Sequence, residues 1–414
     1  MLAFSPSLAK LDTHNSHRST LESFGKKVEE KAKALRSAEL LFGAKKAEWD
    51  GMSELAGELR ANSDEVIVLC EGMAEALVRA VISTCTVGHR ETNEIKVTPI
   101  SSNLHLESLK NLGARLKGRR VSLLVLVQGL PSDRMVWCFR ILLDALSQAR
   151  HPDEVKRRVV VATGQPASPW ERWAQGSSYR TVSYPHRCSG RYLFFSEPTA
   201  LLLHLLGLPA WSYVEGGRSF FRQYDKMAET NDPVFAYAAL REVQLAEHHR
   251  ETLVLADESY IHFGRWWRVL TEESRKLFCE ESHDGVLWFG SVMKEGASAG
   301  RLHWVTEIAL EANVEVDVNL KEGDRDTPPL SYPEHTDWEA METSYRQASS
   351  KEREGPGYSQ PTVRISLRRR DPFCVGSLFA FFESVVCASH KLAETGDSFA
   401  LLTPHVIGSS GVRA

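Results

Sequence analysis

The sequence lacks paired cysteines. Its seven cysteines are widely scattered through 414 residues, and no CxxC motif is present. An odd number of cysteines at wide spacing is typical of a reducing compartment, in which cysteines are small buried apolar residues rather than halves of disulfides. The cytoplasm is therefore the predicted location.

The sequence also lacks an excess of charge of either sign. The 50 lysines and arginines are balanced by 54 aspartates and glutamates, which gives a formal net charge of −4. None of the usual nucleic-acid-binding motifs is present, so the predicted partners do not include nucleic acid. The first residues have no basic start followed by an apolar run, and we therefore expect no secretory signal.

Long uninterrupted apolar runs are missing as well. The most apolar stretch, at 192–214, is interrupted by charged, polar and proline residues that include Glu197 and Pro209. A transmembrane helix needs about 20 consecutive apolar residues, so this stretch predicts a buried element and no contact with a membrane. Apolar residues at 43% and charged residues at 25% are ordinary for a globular protein, and the length predicts two or three domains.

The most distinctive segment present is FGRWWRVLTEESRKLF at 263–278, which predicts an amphipathic helix. Its apolar residues recur at helical spacing and share one face: Phe263, Trp266, Trp267, Leu270, Leu277 and Phe278. Glu273 lies on the edge of that face, where desolvation raises the pKa of a carboxylate toward that of a working base. The alternative is that Glu273 is an ordinary charge at the rim of a packed helix.

Short apolar runs alternate with helical patterns in the first half of the chain. Buried strands are predicted at 65–71, 95–100, 121–127 and 158–162, with helices at 73–83, 105–116 and 134–149. Gly72 separates the first strand from its helix, as in the βα unit of a phosphate-binding fold. This alternation predicts a doubly wound α/β domain with ligands at the carboxyl ends of its strands.

The remaining elements are assigned from the same patterns. Further strands are predicted at 179–184, 252–255, 286–289, 315–320 and 362–367. Further helices are predicted at 18–42, 52–61, 198–206, 217–249, 338–347 and 375–390. We found no convincing internal repeat in the chain.

Three stretches resemble one family in sequence order. They are the segment SGRYLFFS at 189–196, the helix FGRWWRVLTEES at 263–274, and the closing pair PTVRISL at 361–367 and DPFCVGSLFAFFE at 371–383. The chain resembles the sugar isomerase (SIS) superfamily, and more narrowly bacterial glucose-6-phosphate isomerase, including the form fused to transaldolase. The resemblance is remote and extends over about residues 36–408.

The resemblance implies an α/β architecture of two doubly wound parallel-sheet SIS-type domains. The implied divisions are an N-terminal helical segment at 1–47, a first domain at 48–215, a second domain at 216–374, and a C-terminal helix and tail at 375–414. It also implies a homodimer, a small-molecule sugar phosphate as ligand, and no metal or organic cofactor. The implied reaction is aldose–ketose isomerisation through a cis-enediol, as in glycolysis and gluconeogenesis.

The same resemblance implies roles for individual residues. Glu273 matches the carboxylate that moves a proton between C1 and C2, and Arg191 matches the cation that faces the enediolate. The candidate substrate-binding residues are Gly72, Gly129, Ser132, Gly190, Ser298, Arg301 and His303.

Other positions depart from the family pattern. Glu71 places a negative charge in the turn that is glycine-rich in the family, and the loop at 127–132 retains one hydroxyl, that of Ser132. Ala299 stands where the ring-opening histidine is expected, and no lysine is found at 404–408.

These departures leave two interpretations open. The chain is an isomerase with a rebuilt site, or it is a catalytically silent relative that binds a sugar phosphate or has a regulatory or assembly role. A cleft filled by the side chain of Glu71 or Leu130 would favour the silent relative.

Overall fold

The computed structural model describes most of the first half of the chain and several separate segments of the second half. The described residues are 2–6, 45–87, 95–148, 150–164, 168–184, 193–224, 233–234, 237–238, 241, 250–255, 258–276, 303–310 and 362–392. The predicted elements at 18–42, 286–289, 315–320 and 338–347 lie outside them.

A five-stranded parallel sheet forms the centre of the first half. Its strands are β2 (Glu65–Cys70), β3 (Lys96–Ser101), β4 (Val121–Val127), β5 (Val159–Thr163) and β6 (Arg180–Ser183), in the spatial order β3-β2-β4-β5-β6. Every residue of β2, β4 and β5 is buried, because helices cover both faces of the sheet. The predicted α/β class with parallel strands is confirmed.

The helices that accompany this sheet are α1 (Lys46–Asn62), α2 (Gly72–Cys85), α3 (Leu106–Leu116), α4 (Asp133–Ser147), α5 (Pro152–Arg158), α6 (Pro169–Gly176), α7 (Glu197–Leu205) and α8 (Ala210–Tyr224). They include those predicted at 73–83, 105–116 and 134–149, whereas α5 was not predicted and α8 begins seven residues before the predicted helix at 217–249. Ser132 caps α4, since its hydroxyl accepts a hydrogen bond from the Met135 amide at 3.1 Å.

The start of α1 differs from the prediction. The helix was expected from residue 52, but it begins at Lys46, so the predicted boundary at 47/48 falls within its first turn. Trp49 explains the extra turn, because its ring is buried and packs edge-on against Trp211 at 6.1 Å between ring centroids. The burial of a large aromatic ring stabilises a turn that sequence periodicity did not indicate.

A second sheet carries four described strands in the order β1-β9-β8-β7. They are β1 (Leu2–Pro6), β7 (Arg250–Leu255), β8 (His303–Leu310) and β9 (Thr362–Leu367). β7, β8 and β9 are parallel, whereas β1 pairs antiparallel with β9, with Leu2 opposite Leu367. The sequence analysis did not predict β1, which gives this sheet an antiparallel strand beside β9.

Two further helices, α9 (Ile261–Lys276) and α10 (Pro372–Leu392), pack between the sheets with α8. Their aromatic side chains form a continuous core that includes Phe263, Trp266, Trp267, Phe379, Phe381 and Phe382. α8 and α10 approach each other backbone to backbone at Gly216 and Gly376, where an added Cβ would lie 2.7 Å from a backbone carbonyl carbon of the other helix. Within the described residues, no helix is both long and apolar enough to cross a membrane.

Candidate functional site

The candidate site lies at the carboxyl ends of the parallel strands of the first sheet. β2 pairs with β3 on one side and with β4 on the other, so the chain changes direction across β2. Loops that leave neighbouring strands in opposite directions form a crevice, which is where α/β folds of this kind bind ligands. Glu71 and Gly72 follow β2, Ser102 follows β3, and residues 128–132 follow β4.

The side chain of Glu71 crosses this crevice and accepts three hydrogen bonds. Its Oε1 accepts from the backbone amide of Ser132 at 3.1 Å. Its Oε2 accepts from the Ser132 hydroxyl at 2.6 Å and from the Ser102 hydroxyl at 3.1 Å. We refer to the Ser132 amide and the Ser102 and Ser132 hydroxyls as the donor cradle. The carboxylate of Glu71 therefore occupies the donor cradle, whereas the side chain of Leu130 is half exposed and does not contribute to it.

Local backbone geometry explains why these loops meet. Gly72 has φ +59°, in the left-handed region that side chains disfavour, and this turn leads directly from Glu71 into α2. Glu71 makes no capping hydrogen bond to its own helix. Its carboxylate instead lies at the N-terminus of α4, where the helix dipole and free amides favour a negative charge.

The residues around the donor cradle include a cation and two buried thiols. Arg134, in the first turn of α4, donates to the Asn103 side chain through Nη1 at 3.2 Å. Burial raises the pKa of the Cys138 thiol; the positive charge of Arg134 opposes this effect and the negative charge of Glu71 adds to it. Burial also raises the pKa of Cys70 far above its ordinary value, so neither thiol is suited to act as a nucleophile near neutral pH.

The helix that carries Glu273 packs along α2. The Thr84 hydroxyl, near the end of α2, contacts the backbone carbonyl of Ser259 just before α9 at 3.5 Å. Arg79, one turn earlier on α2, acts electrostatically on His262 at the start of α9. These contacts show that the helices run antiparallel. Glu273 lies in the last turn of α9, and its place at the crevice stays a prediction.

The predicted face of α9 is confirmed for four of its six residues, whereas Leu277 and Phe278 lie outside the described residues. The side chains of Phe263, Trp266, Trp267 and Leu270 are fully buried. Glu272 lies away from that face, where it forms an exposed ion pair with Arg268 at 2.7 Å.

The remaining predicted site residues are only partly covered by the structure. Gly129 and Ser132 lie in the loop after β4, and His303 begins β8. Gly190, Arg191, Ser298 and Arg301 lie outside the described residues. The structure thus brings together Glu71, Gly72 and Ser132 at one crevice, and the other assignments stay predictions.

The chain that follows Arg191 is held by buried polar contacts. Glu383 on α10 is 1% exposed, and its Oε1 accepts from the Phe194 amide at 3.2 Å. Burial raises the pKa of this carboxyl to about 8, although the amides of Phe194 and Leu193 act in the opposite direction. The ring of Phe194 stacks on Phe379 at 3.8 Å between centroids.

The sequence analysis missed two polar residues of this region, Ser102 and Glu383. Ser102 had a weak signal, because it comes two residues after a predicted strand, at the edge where ligands bind. Glu383 closes the matching segment at 371–383, but the pattern alone does not distinguish a buried carboxylate within an apolar helix from a surface charge. In the part of the chain that the structure describes, no group of three or more His, Cys, Asp and Glu side chains is arranged to hold a metal ion.

Comparison with known proteins identifies the relatives of this chain. No protein-family model matches it. It is 24% identical over 238 residues to the glucose-6-phosphate isomerase of Heliobacterium modesticaldum, a match that covers 55% of this chain and 53% of that protein. The match therefore spans about half the length of that relative.

Two solved structures share the architecture. A hypothetical protein from Thermus thermophilus superposes with a TM-score of 0.72 at 15% identity, covering 95% of both chains. A glucose-6-phosphate isomerase from Chlamydia trachomatis superposes with a TM-score of 0.64 at 12% identity, covering 84% of this chain and 69% of that one. The chain is thus a remote homologue of glucose-6-phosphate isomerase with the SIS phosphosugar isomerase fold.

Proposed function

We propose that this protein is a sugar-phosphate isomerase of the glucose-6-phosphate isomerase type, which interconverts an aldose and a ketose phosphate in glycolysis and gluconeogenesis. One observation carries the proposal: a set of hydrogen-bond donors lies at the crevice where α2 begins, and the helix that bears Glu273 packs against α2. A proton-transfer group and a set of anion-binding donors at one crevice are what such a reaction requires.

In the proposed mechanism, Glu273 removes the proton from C2 of the open-chain aldose, which leaves a cis-enediolate. A proton passes from O2 to O1, and Glu273 returns its own proton to C1 as the carbonyl forms at C2. The same carboxylate thus ends the cycle as it began, and no external acid or base is consumed. Arg191 stabilises the negative charge that develops on the enediolate oxygens. The Ser102 hydroxyl and the Ser132 amide and hydroxyl are the donors available to the phosphate group.

A coupled assay for the conversion of fructose 6-phosphate to glucose 6-phosphate tests this proposal. Glu273→Gln removes the base but keeps the size of the side chain, and we expect kcat to fall by about 10²–10⁴-fold. Glu272→Gln is the matched control, because it alters the adjacent carboxylate on the exposed side of the same helix turn. Absence of turnover by the unaltered protein, or equal losses in both variants, would refute the assignment.

A second candidate function is a catalytically silent protein that binds a sugar phosphate. The position of Glu71 favours it, because the donors that would hold a phosphate already bind a carboxylate of the chain itself. Such a protein would show a concentration-dependent rise in Tm with glucose 6-phosphate but no turnover. Turnover that is lost in Glu273→Gln would exclude it.

The proposal also covers where the protein acts and its oligomeric state. We propose that it acts in the cytoplasm, in agreement with the scattered cysteines, and as a homodimer, as the family resemblance implies. Sedimentation of the purified chain at several concentrations would test the dimer, and a monomer at all of them would contradict it.

A further inference from the structure

Glu71 is a polar side chain that the proposed mechanism does not use. Its carboxylate accepts hydrogen bonds from residues of two separate loops. One of these residues, Ser102, is only 3% exposed. A carboxylate with three hydrogen bonds at a helix N-terminus is a well-stabilised anion.

The chemistry of the donor cradle suits a phosphate as well as a carboxylate. All three groups donate hydrogen bonds to negatively charged oxygens, and two of them come from the residue that caps α4. Ser132 is exposed, so the donor cradle is open to solvent on that side. A dissolved anion can therefore reach the donors, but only in place of the Glu71 carboxylate.

We propose that Glu71 is an intramolecular competitor for phosphate in the donor cradle, and that this residue sets the affinity of the crevice for phosphorylated ligands. In the native chain a phosphate displaces the carboxylate from its three donors before it binds. Two negative charges held side by side at this crevice would repel each other, so the two anions exclude one another.

This inference rests on the proposed function only for the identity of the ligand, a sugar phosphate. The competition itself follows from the hydrogen bonds of Glu71. Inorganic phosphate is therefore the first probe, because it reports on the donor cradle without any requirement for catalysis.

The experiment compares the binding of inorganic phosphate to the full-length protein and three variants by isothermal titration calorimetry at constant ionic strength. Glu71→Ser removes the competitor, and we expect phosphate to bind at least tenfold more tightly than to the native chain. Glu71→Gln removes the charge but keeps a side chain that can fill the donor cradle, and a smaller gain is expected. It also provides a test if the serine variant fails to fold.

Glu75→Gln is the matched control, since Glu75 lies one turn further along α2 and pairs with Arg79 at 3.0 Å. It removes one negative charge from the same helix without altering the donor cradle, and phosphate affinity should change by less than about twofold. Equal affinities in the native chain and both Glu71 variants, or an equal gain in Glu75→Gln, would overturn the inference.

Parallel assays of turnover separate this inference from the proposed function. Tighter phosphate binding in the Glu71 variants without turnover in any protein would support the competition and refute the isomerase. Turnover by the native chain with unchanged phosphate affinity in the variants would support the isomerase and refute the competition. If Glu71 serves only to hold the loops in place, Glu71→Ser and Glu71→Gln should both lose stability and show no gain in phosphate affinity, which would refute the competition.

Discussion

Replacement of Glu383 by glutamine should make the protein more stable at mildly alkaline pH. The carboxyl of Glu383 is buried, and burial raises its pKa to about 8 from an ordinary value of 4.5. Below pH 4.5 the carboxyl is protonated in both the native and the unfolded chain. Between the two values the unfolded chain releases the proton while the native chain retains it, so the free energy of unfolding falls as the pH rises.

The magnitude follows from the two pKa values. At about 1.36 kcal/mol for each pH unit, the difference between them corresponds to roughly 5 kcal/mol, which is fully expressed only above pH 8. Glutamine is neutral at every pH, and its Oε1 can still accept the hydrogen bond from Phe194. The advantage of Glu383→Gln over the native chain should therefore grow by roughly 3–4 kcal/mol between about pH 5 and about pH 8.

Urea denaturation at a series of pH values measures this effect. The native chain should lose stability with rising pH relative to Glu383→Gln. The difference between their free energies of unfolding should level off above pH 8. Glu272→Gln, in which an exposed carboxylate is replaced, is the control and should run parallel to the native chain. Parallel curves for the native chain and Glu383→Gln would show that the buried carboxyl does not retain its proton.

Two substitutions test the packing of the second half of the chain. Gly376→Ala should lower the free energy of unfolding, measured by chemical denaturation, by roughly 1–3 kcal/mol, because the added methyl group meets the backbone of α8. Gly57→Ala is the control: its methyl group enters open space, and the substitution should be neutral or stabilising by up to about 1 kcal/mol. Similar effects of both would contradict the close helix contact. Arg241→Met should lower the free energy of unfolding by about 3–5 kcal/mol, since it removes the cation that pairs with the buried carboxylate of Glu251 at 3.0 Å. Arg268→Met, which removes one partner of an exposed ion pair, should lower it by less than about 1 kcal/mol. Equal losses of stability in Arg241→Met and Arg268→Met would show that the buried ion pair contributes no more than the exposed one.

Much of the first sheet could be predicted because its central strands β2, β4 and β5 are buried on both faces. The run VSLLVLV at 121–127 has no polar face to present to water, and the structure buries all seven residues. The apolar stripe of α9 was equally predictable, since its residues recur at the helical period. Strand β1 was not predictable, because a five-residue edge strand depends on its pairing with β9.

The candidate site was only partly predictable. The sequence indicated that Glu71 is out of place in a phosphate-binding turn, and that Ser132 retains the loop's hydroxyl. It did not indicate which groups hold the Glu71 carboxylate, because Ser102 and Ser132 are 31 and 61 residues away along the chain. Their meeting requires that β3 and β4 pair on opposite sides of β2.

The sequence by itself determined the α/β class, the buried strands and the apolar face of α9, because each depends on local periodicity and burial. Tertiary structure alone decided that the carboxyl ends of β2, β3 and β4 form one crevice, that α9 runs antiparallel to α2, and that Glu71 fills the donor cradle. The physical reason is that a carboxylate takes its hydrogen bonds from whichever donors the fold places within reach, and sequence distance carries no information about that reach.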